Sequence, residues 1–200
     1  MVVPFVILTT MGTTLYAPDS RACGYHDPSH VAAGVLNWIY PNALYVRTAV
    51  WRAQDSGILP KRTKKARDLF AYQRMASRLQ RLGQRLGPAK PGGAAPSFSA
   101  VLIDSILWSR FVPSSEGYRV EVHAKGPGPG DVVLVTDGRV VQALSDGSLD
   151  ATRAEDYGLI RFYGPAADQR KVRRLLASAL RVASEPTGES ASVADRSPGQ

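Results

Sequence analysis

The residues best equipped for chemistry lie near the N-terminus, where Cys23, His26, Asp27 and His30 fall within eight positions. That span holds the single cysteine and two of the three histidines. A thiolate and imidazoles are borderline-soft donors suited to zinc or copper, and His26 and His30, at i and i+4, would face one way on a helical turn. Cys23, His26 and His30 are therefore candidate metal ligands. A second reading competes with this one: Pro28 suits the first turn of a helix, with Asp27 or Ser29 as its cap, and the histidines are then incidental. The second pair of a four-ligand zinc pattern is missing. With one cysteine, no intrachain disulfide can form.

Other catalytic constellations are absent from the sequence. It contains no Gly-x-Ser-x-Gly, no Walker A loop and no His-Glu-x-x-His. The run Gly126-Pro127-Gly128-Pro129-Gly130 lacks the spacing of a dinucleotide-binding turn. Glu121 and His123 alternate onto one face of a strand and read as a surface pair, and the remaining carboxylates are scattered. The expectation is a protein that binds rather than catalyses, and the sequence names no cofactor.

Charge suggests a different chemistry. The 200 residues carry a formal net charge of +8, with a pI near 9.9, which favours anionic partners. The concentration is greatest in 61–87, where Lys61, Arg62, Lys64, Lys65, Arg67, Arg74, Arg78, Arg81 and Arg85 face the single acid Asp68. The same segment repeats Leu69, Tyr72, Met75 or Ala76, Leu79, Leu82 or Gly83, and Leu86 at helical spacing. It reads as an amphipathic helix whose cationic face is either solvated or applied to a membrane surface or nucleic acid.

These residues need elements to position them. Met1–Tyr16 is apolar and uncharged and precedes a polar stretch ending Ser20-Arg21-Ala22, the outline of a signal peptide over 1–22, though no Lys or Arg precedes the apolar run. A buried strand is the alternative, rich as the segment is in Val, Ile and Thr. The first reading implies a periplasmic or secreted protein with Cys23 near its mature N-terminus, and the second a cytoplasmic one. Segment 23–87 reads as helical, with helices over Val31–Tyr40 and 42–59 divided by Pro41, and with Trp38, Tyr40, Tyr45 and Trp51 as core or interface anchors. A Pro/Gly linker at 88–96 leads to an α+β domain over 97–181 and a polar tail, 182–200, with the composition of a disordered segment. In that domain, Phe98–Val112 and Tyr118–Ala124 read as antiparallel strands, Asp131–Thr136 as another, and Gly158–Gly164 as the last. Val140–Leu144 suits strand or helix, and Asp168–Leu180 closes the domain as a helix.

One stretch carries a family likeness. Gly130-Asp131-Val132-Val133-Leu134-Val135, the step from Leu144 through Gly147 to Leu149, Ala154, Gly158-Leu159-Ile160-Arg161-Phe162-Tyr163-Gly164 and the closing helix together resemble the C-terminal half of sterol-carrier-type lipid-binding domains. The likeness spans about fifty residues, 130–181, and Pro165 departs from a position that is often acidic in that family. It implies a sheet and helices surrounding an apolar space that holds lipid.

The fold expected is α+β: N-terminal helices, then a small, mostly antiparallel sheet with a C-terminal helix. The function expected is non-enzymatic binding of an apolar small molecule such as a lipid or sterol. Two alternatives stand beside it: contact of the basic helix with an anionic membrane surface or nucleic acid, and metal binding through Cys23, His26 and His30.

Overall fold

The computed structural model describes residues 28–61, 70–88 and 95–181, with side chains from Gly34 onward. Three helices come first: α1 (Pro28–Ile39), α2 (Tyr45–Asp55) and α3 (Ala71–Arg85). A strand meander follows, β1 (Phe98–Leu102), β2 (Leu107–Ser114) and β3 (Gly117–Val122). The chain then runs through β4 (Val132–Thr136), α4 (Gly138–Asp146), α5 (Ala151–Asp156), β5 (Arg161–Tyr163) and α6 (Ala166–Ala179). The five strands form one sheet in the order β3-β2-β1-β4-β5. Three pairings are antiparallel, and β1 with β4 is parallel. The architecture is the expected α+β.

The sheet's position follows from its side chains. Every residue of β1 and β4 is buried, as near-continuous runs of aliphatic and small residues require when helices and neighbouring strands cover both faces. Phe98 lies opposite Phe111 in the β1–β2 register, and their rings stack 4.6 Å apart, nearly parallel. From the helices, Val46, Val50, Leu79, Leu82 and Leu86 join the sheet's Phe98, Val101, Phe111 and Val135 in a single core cluster. α3 lies on β3 at close range. A Cβ on Gly83 would stand 2.5 Å from Val120 Cγ2 and 2.6 Å from the Tyr118 carbonyl, so this helix position admits no side chain.

The segment Phe98–Val112 is a hairpin rather than one strand. The chain reverses at Asp104 and Ser105, with Ile106 at φ 50° and the Ser105 N–H reaching the Leu102 carbonyl. Two short polar residues suffice for the turn, and between two apolar runs they pass for imperfect alternation. Val140–Leu144, open between strand and helix, lies inside α4. That helix has Asp137 as N-cap, accepting from the Arg139 N–H, and Gly147 at φ 77° as C-cap, a backbone region that suits glycine.

A buried carboxylate joins four segments. Asp131 accepts hydrogen bonds from Ser97 Oγ (2.6 Å), Ser99 Oγ (2.7 Å), Arg110 Nε (2.9 Å) and the Gly128 N–H (3.1 Å). It thereby ties β1, β2 and the 126–130 loop to the start of β4. The Pro/Gly-rich run is thus the return loop from β3 to the sheet centre.

Candidate ligand cleft

The end of the fold where α5, β5 and α6 meet carries two adjoining surface clefts. Arg161, Phe162 and Tyr163 occupy the whole of β5, a short edge strand paired only with β4. Their alternation turns Phe162 toward the helices, while Arg161 and Tyr163 meet the loop between α1 and α2. Tyr163 donates its hydroxyl to the Pro41 carbonyl at 2.7 Å, and its ring sits 5.1 Å from that of Tyr40, which also contacts Trp108. Burial holds the Tyr163 phenol above its ordinary value of 10.0, with the Arg161 charge opposing. Asn42, at φ 69°, turns that loop, and the Leu44 N–H bonds Asn37 Oδ1 to hold it.

The first cleft, of about 470 Å³, lies between this loop and the α5–β5 connection, and its walls include Asn42, Glu155, Asp156, Arg161 and Arg173. The second, of about 240 Å³, lies between α5 and α6 against Ala151, Phe162, Leu176 and Ala177, with Arg174 at its rim. They share Glu155, Phe162 and Arg173. The Arg173 guanidinium sits 4.5 Å over the Phe162 ring and pairs with Glu155 at 2.7 Å, so one ion pair laid on an aromatic face partitions a charged compartment from an apolar one. On the charged side, Arg161 Nε is buried without a hydrogen-bond partner among the described residues, and its guanidinium lies 5.8 Å from the Tyr45 ring. A buried donor left unbonded costs free energy that a ligand acceptor could recover. Both clefts open at the surface. Phe98, Phe111, Leu102 and Leu149 are among the largest fully buried side chains of the core.

A third cleft, of about 550 Å³ at the β2–β3 turn, is walled by Ser114, Ser115, Glu116 and Arg119 among others and includes no Leu, Ile, Val or Phe. Its walls are about as apolar as they are polar, with Pro113 and Tyr118 among them.

A matching solved structure is the crystal structure of sterol carrier protein 2 like 2 from Aedes aegypti. The chain resembles a sterol carrier protein in fold. Identity is 19%, the match covers 51% of this chain and 95% of that one, and the TM-score is 0.38. No protein-family model and no curated protein matches the chain.

Of the site residues singled out in the sequence, those that are described lie outside these clefts. Cys23 and His26 lie outside the described residues, as does the side chain of His30, and no group of three metal-ligating side chains occurs among the described residues. Of the cationic set, Arg62, Lys64, Lys65 and Arg67 are also outside. Lys61, Arg74 and Arg81 are exposed and Arg78 is half-buried. Arg85 turns onto α4, donating to the Leu144 and Ser145 carbonyls at 2.6 and 3.0 Å. Of the cleft residues, Gly158 and Ile160–Tyr163 fall in the stretch that carries the sterol-carrier resemblance, but the Arg173–Glu155 pair gave no signal: Arg173 sits in a basic helix face, and Glu155 is eighteen positions away.

Proposed function

We propose that this protein binds an apolar small molecule of the lipid class, without chemistry on it, at the cleft between α5, β5 and α6. The observation that supports the reading is the continuity of an apolar compartment, against Phe162, Leu176 and Ala177, with a charged one containing Arg161. Amphiphiles have that division: hydrocarbon against the apolar wall and a polar end at the guanidinium. Binding sites for small molecules are concave and mostly apolar, with a few polar groups that fix orientation. The proposal that a lipid or sterol is the ligand also accords with the sterol-carrier-like pattern of residues 130–181.

The test is titration of the full chain with a fluorescent fatty acid, alongside Ala177→Trp. Ala177 is half-buried on α6 and lines the apolar compartment, so an indole there fills the cleft and leaves the core in place. Saturable binding that falls about tenfold or more in the variant, at unchanged melting temperature, is expected, since an occupied pocket excludes its ligand. Equal binding by both proteins would place the ligand elsewhere.

A further inference from the structure

The described part of α1 contains no Asp, Glu, Lys or Arg, and of its side chains only Leu36 is fully buried. Val35, Trp38 and Ile39, related by three and four positions, form one face that is 54%, 89% and 63% exposed. On α2 the buried residues are Val46, Val50, Ala53 and Gln54, which leaves Tyr45 and Trp51 59% and 62% exposed. Five large apolar or aromatic side chains thus stand in water on one helix pair. On α1 the exposure is contiguous, three large apolar side chains on one helical face, which marks an interaction surface, and Trp38, the most exposed of them, has no ring partner among the described residues.

We propose that the α1–α2 face docks on an anionic lipid bilayer. Two features select that occupant. Trp and Tyr have an apolar body and a polar edge, and they concentrate at the membrane–water boundary. Arg47 and Arg52, one turn before Trp51 and next to it, enter no ion pair or side-chain hydrogen bond among the described residues, and segment 28–61 carries Arg47, Arg52 and Lys61 against Asp55 alone. Cations beside an aromatic face complement anionic headgroups. No described helix is long and apolar enough to cross a membrane, so the contact is interfacial. Pro41 and Asn42 belong to both this helix pair and the mouth of the charged cleft, so docking brings that mouth to the headgroup layer.

The docking surface and the ligand cleft are tested separately. Full-length protein is floated with vesicles of phosphatidylcholine alone and of phosphatidylcholine with phosphatidylglycerol, and its tryptophan emission is recorded. Anionic vesicles are expected to carry the protein and to blue-shift its emission, with salt weakening the binding. Trp38→Ala/Trp51→Ala should reduce partitioning by about tenfold or more, because interfacial aromatics supply the buried apolar area, while its thermal unfolding stays at the wild-type temperature. Arg47→Gln/Arg52→Gln should remove much of the preference for anionic over neutral vesicles. Ala177→Trp should float as the wild type does. Unaltered flotation of the tryptophan double variant would overturn the proposal. Loss of self-association in that variant, without vesicle binding by the wild type, would do so too by assigning the face to a second copy of the chain.

Discussion

Asp131 shows how much one buried carboxylate can organise. Burial alone would raise its pKa, but hydrogen bonds from Arg110, Ser97 and Ser99, with the charge of Arg110, bring it below the ordinary value of 3.8. The folded protein then holds this proton more weakly than the unfolded chain, so the stabilisation is complete above 3.8 and is lost as pH falls through the folded value. Asp137 behaves oppositely. Burial and the neighbouring Asp104 raise its pKa, against the Arg139 contacts, so its effect is a loss of stability as pH rises from 3.8 through the folded value. Asp131→Ala should cost about 2–4 kcal/mol at neutral pH, toward the lower part of the range for broken buried pairs because Arg110 is one-third exposed, as read by urea unfolding. Asp137→Asn keeps a capping side chain and should flatten the loss of stability as pH rises above 3.8, measured in the same way. In the cleft, Arg161→Gln should weaken a long-chain carboxylate by about tenfold and leave the corresponding alcohol nearly unchanged, since charge-assisted hydrogen bonds are worth about 1.5–3 kcal/mol. Parallel calorimetric titrations of the two ligands check this. None of these roles was legible in the sequence. Asp131 reads there as a strand's first residue and Arg161 as a residue of the last strand, because their partners come from distant segments.

At the scale of elements, the legible features were those whose signal is local. Leu79, Leu82 and Leu86 mark α3, Gly147 and Gly158 close α4 and α5 with positive φ, and Val172, Leu176 and Leu180 identify the buried side of α6. The β1–β2 turn was hidden because Asp104 and Ser105 are brief and the strands on either side are equally apolar. Trp38 and Trp51 read in the sequence as core or interface anchors, and of the two the core is not their place: Val46, Val50, Ala53 and Gln54 fill the buried face of α2 and the tryptophans stand outside. The tight crossing of α3 over β3 gives a prediction at this scale. Gly83→Ala gains about 1 kcal/mol in helix propensity. It also drives a methyl group against the Tyr118 carbonyl, and overpacking of this kind costs about 1–3 kcal/mol, so net destabilisation is expected in chemical denaturation. Arg85→Ala should likewise lower stability, by about 1–2 kcal/mol, by leaving the Leu144 and Ser145 carbonyls without their charged donor.

The whole molecule joins a sheet-centred α+β fold to a helix pair whose outer face is aromatic, and the charged mouth of the cleft lies where the two meet. The fold class followed from composition and strand patterning, while the site depends on that junction, which no single segment encodes. Pro41 and Tyr163 are 122 residues apart and share a hydrogen bond. The cationic segment that dominates the sequence is, in its described part, a packed helix with an exposed basic face, and Arg85 works on α4 from within it. Binding of an apolar molecule at the α5–β5–α6 cleft is the central claim. Native mass spectrometry tests it most directly, applied to the full chain after incubation with a mixture of long-chain fatty acids and sterols, with Ala177→Trp beside it. The expected result is a one-to-one adduct on the wild-type protein that disappears from the variant while both charge-state distributions remain those of folded chains. A folded wild-type protein with no adduct, or an adduct retained equally by the variant, would contradict it.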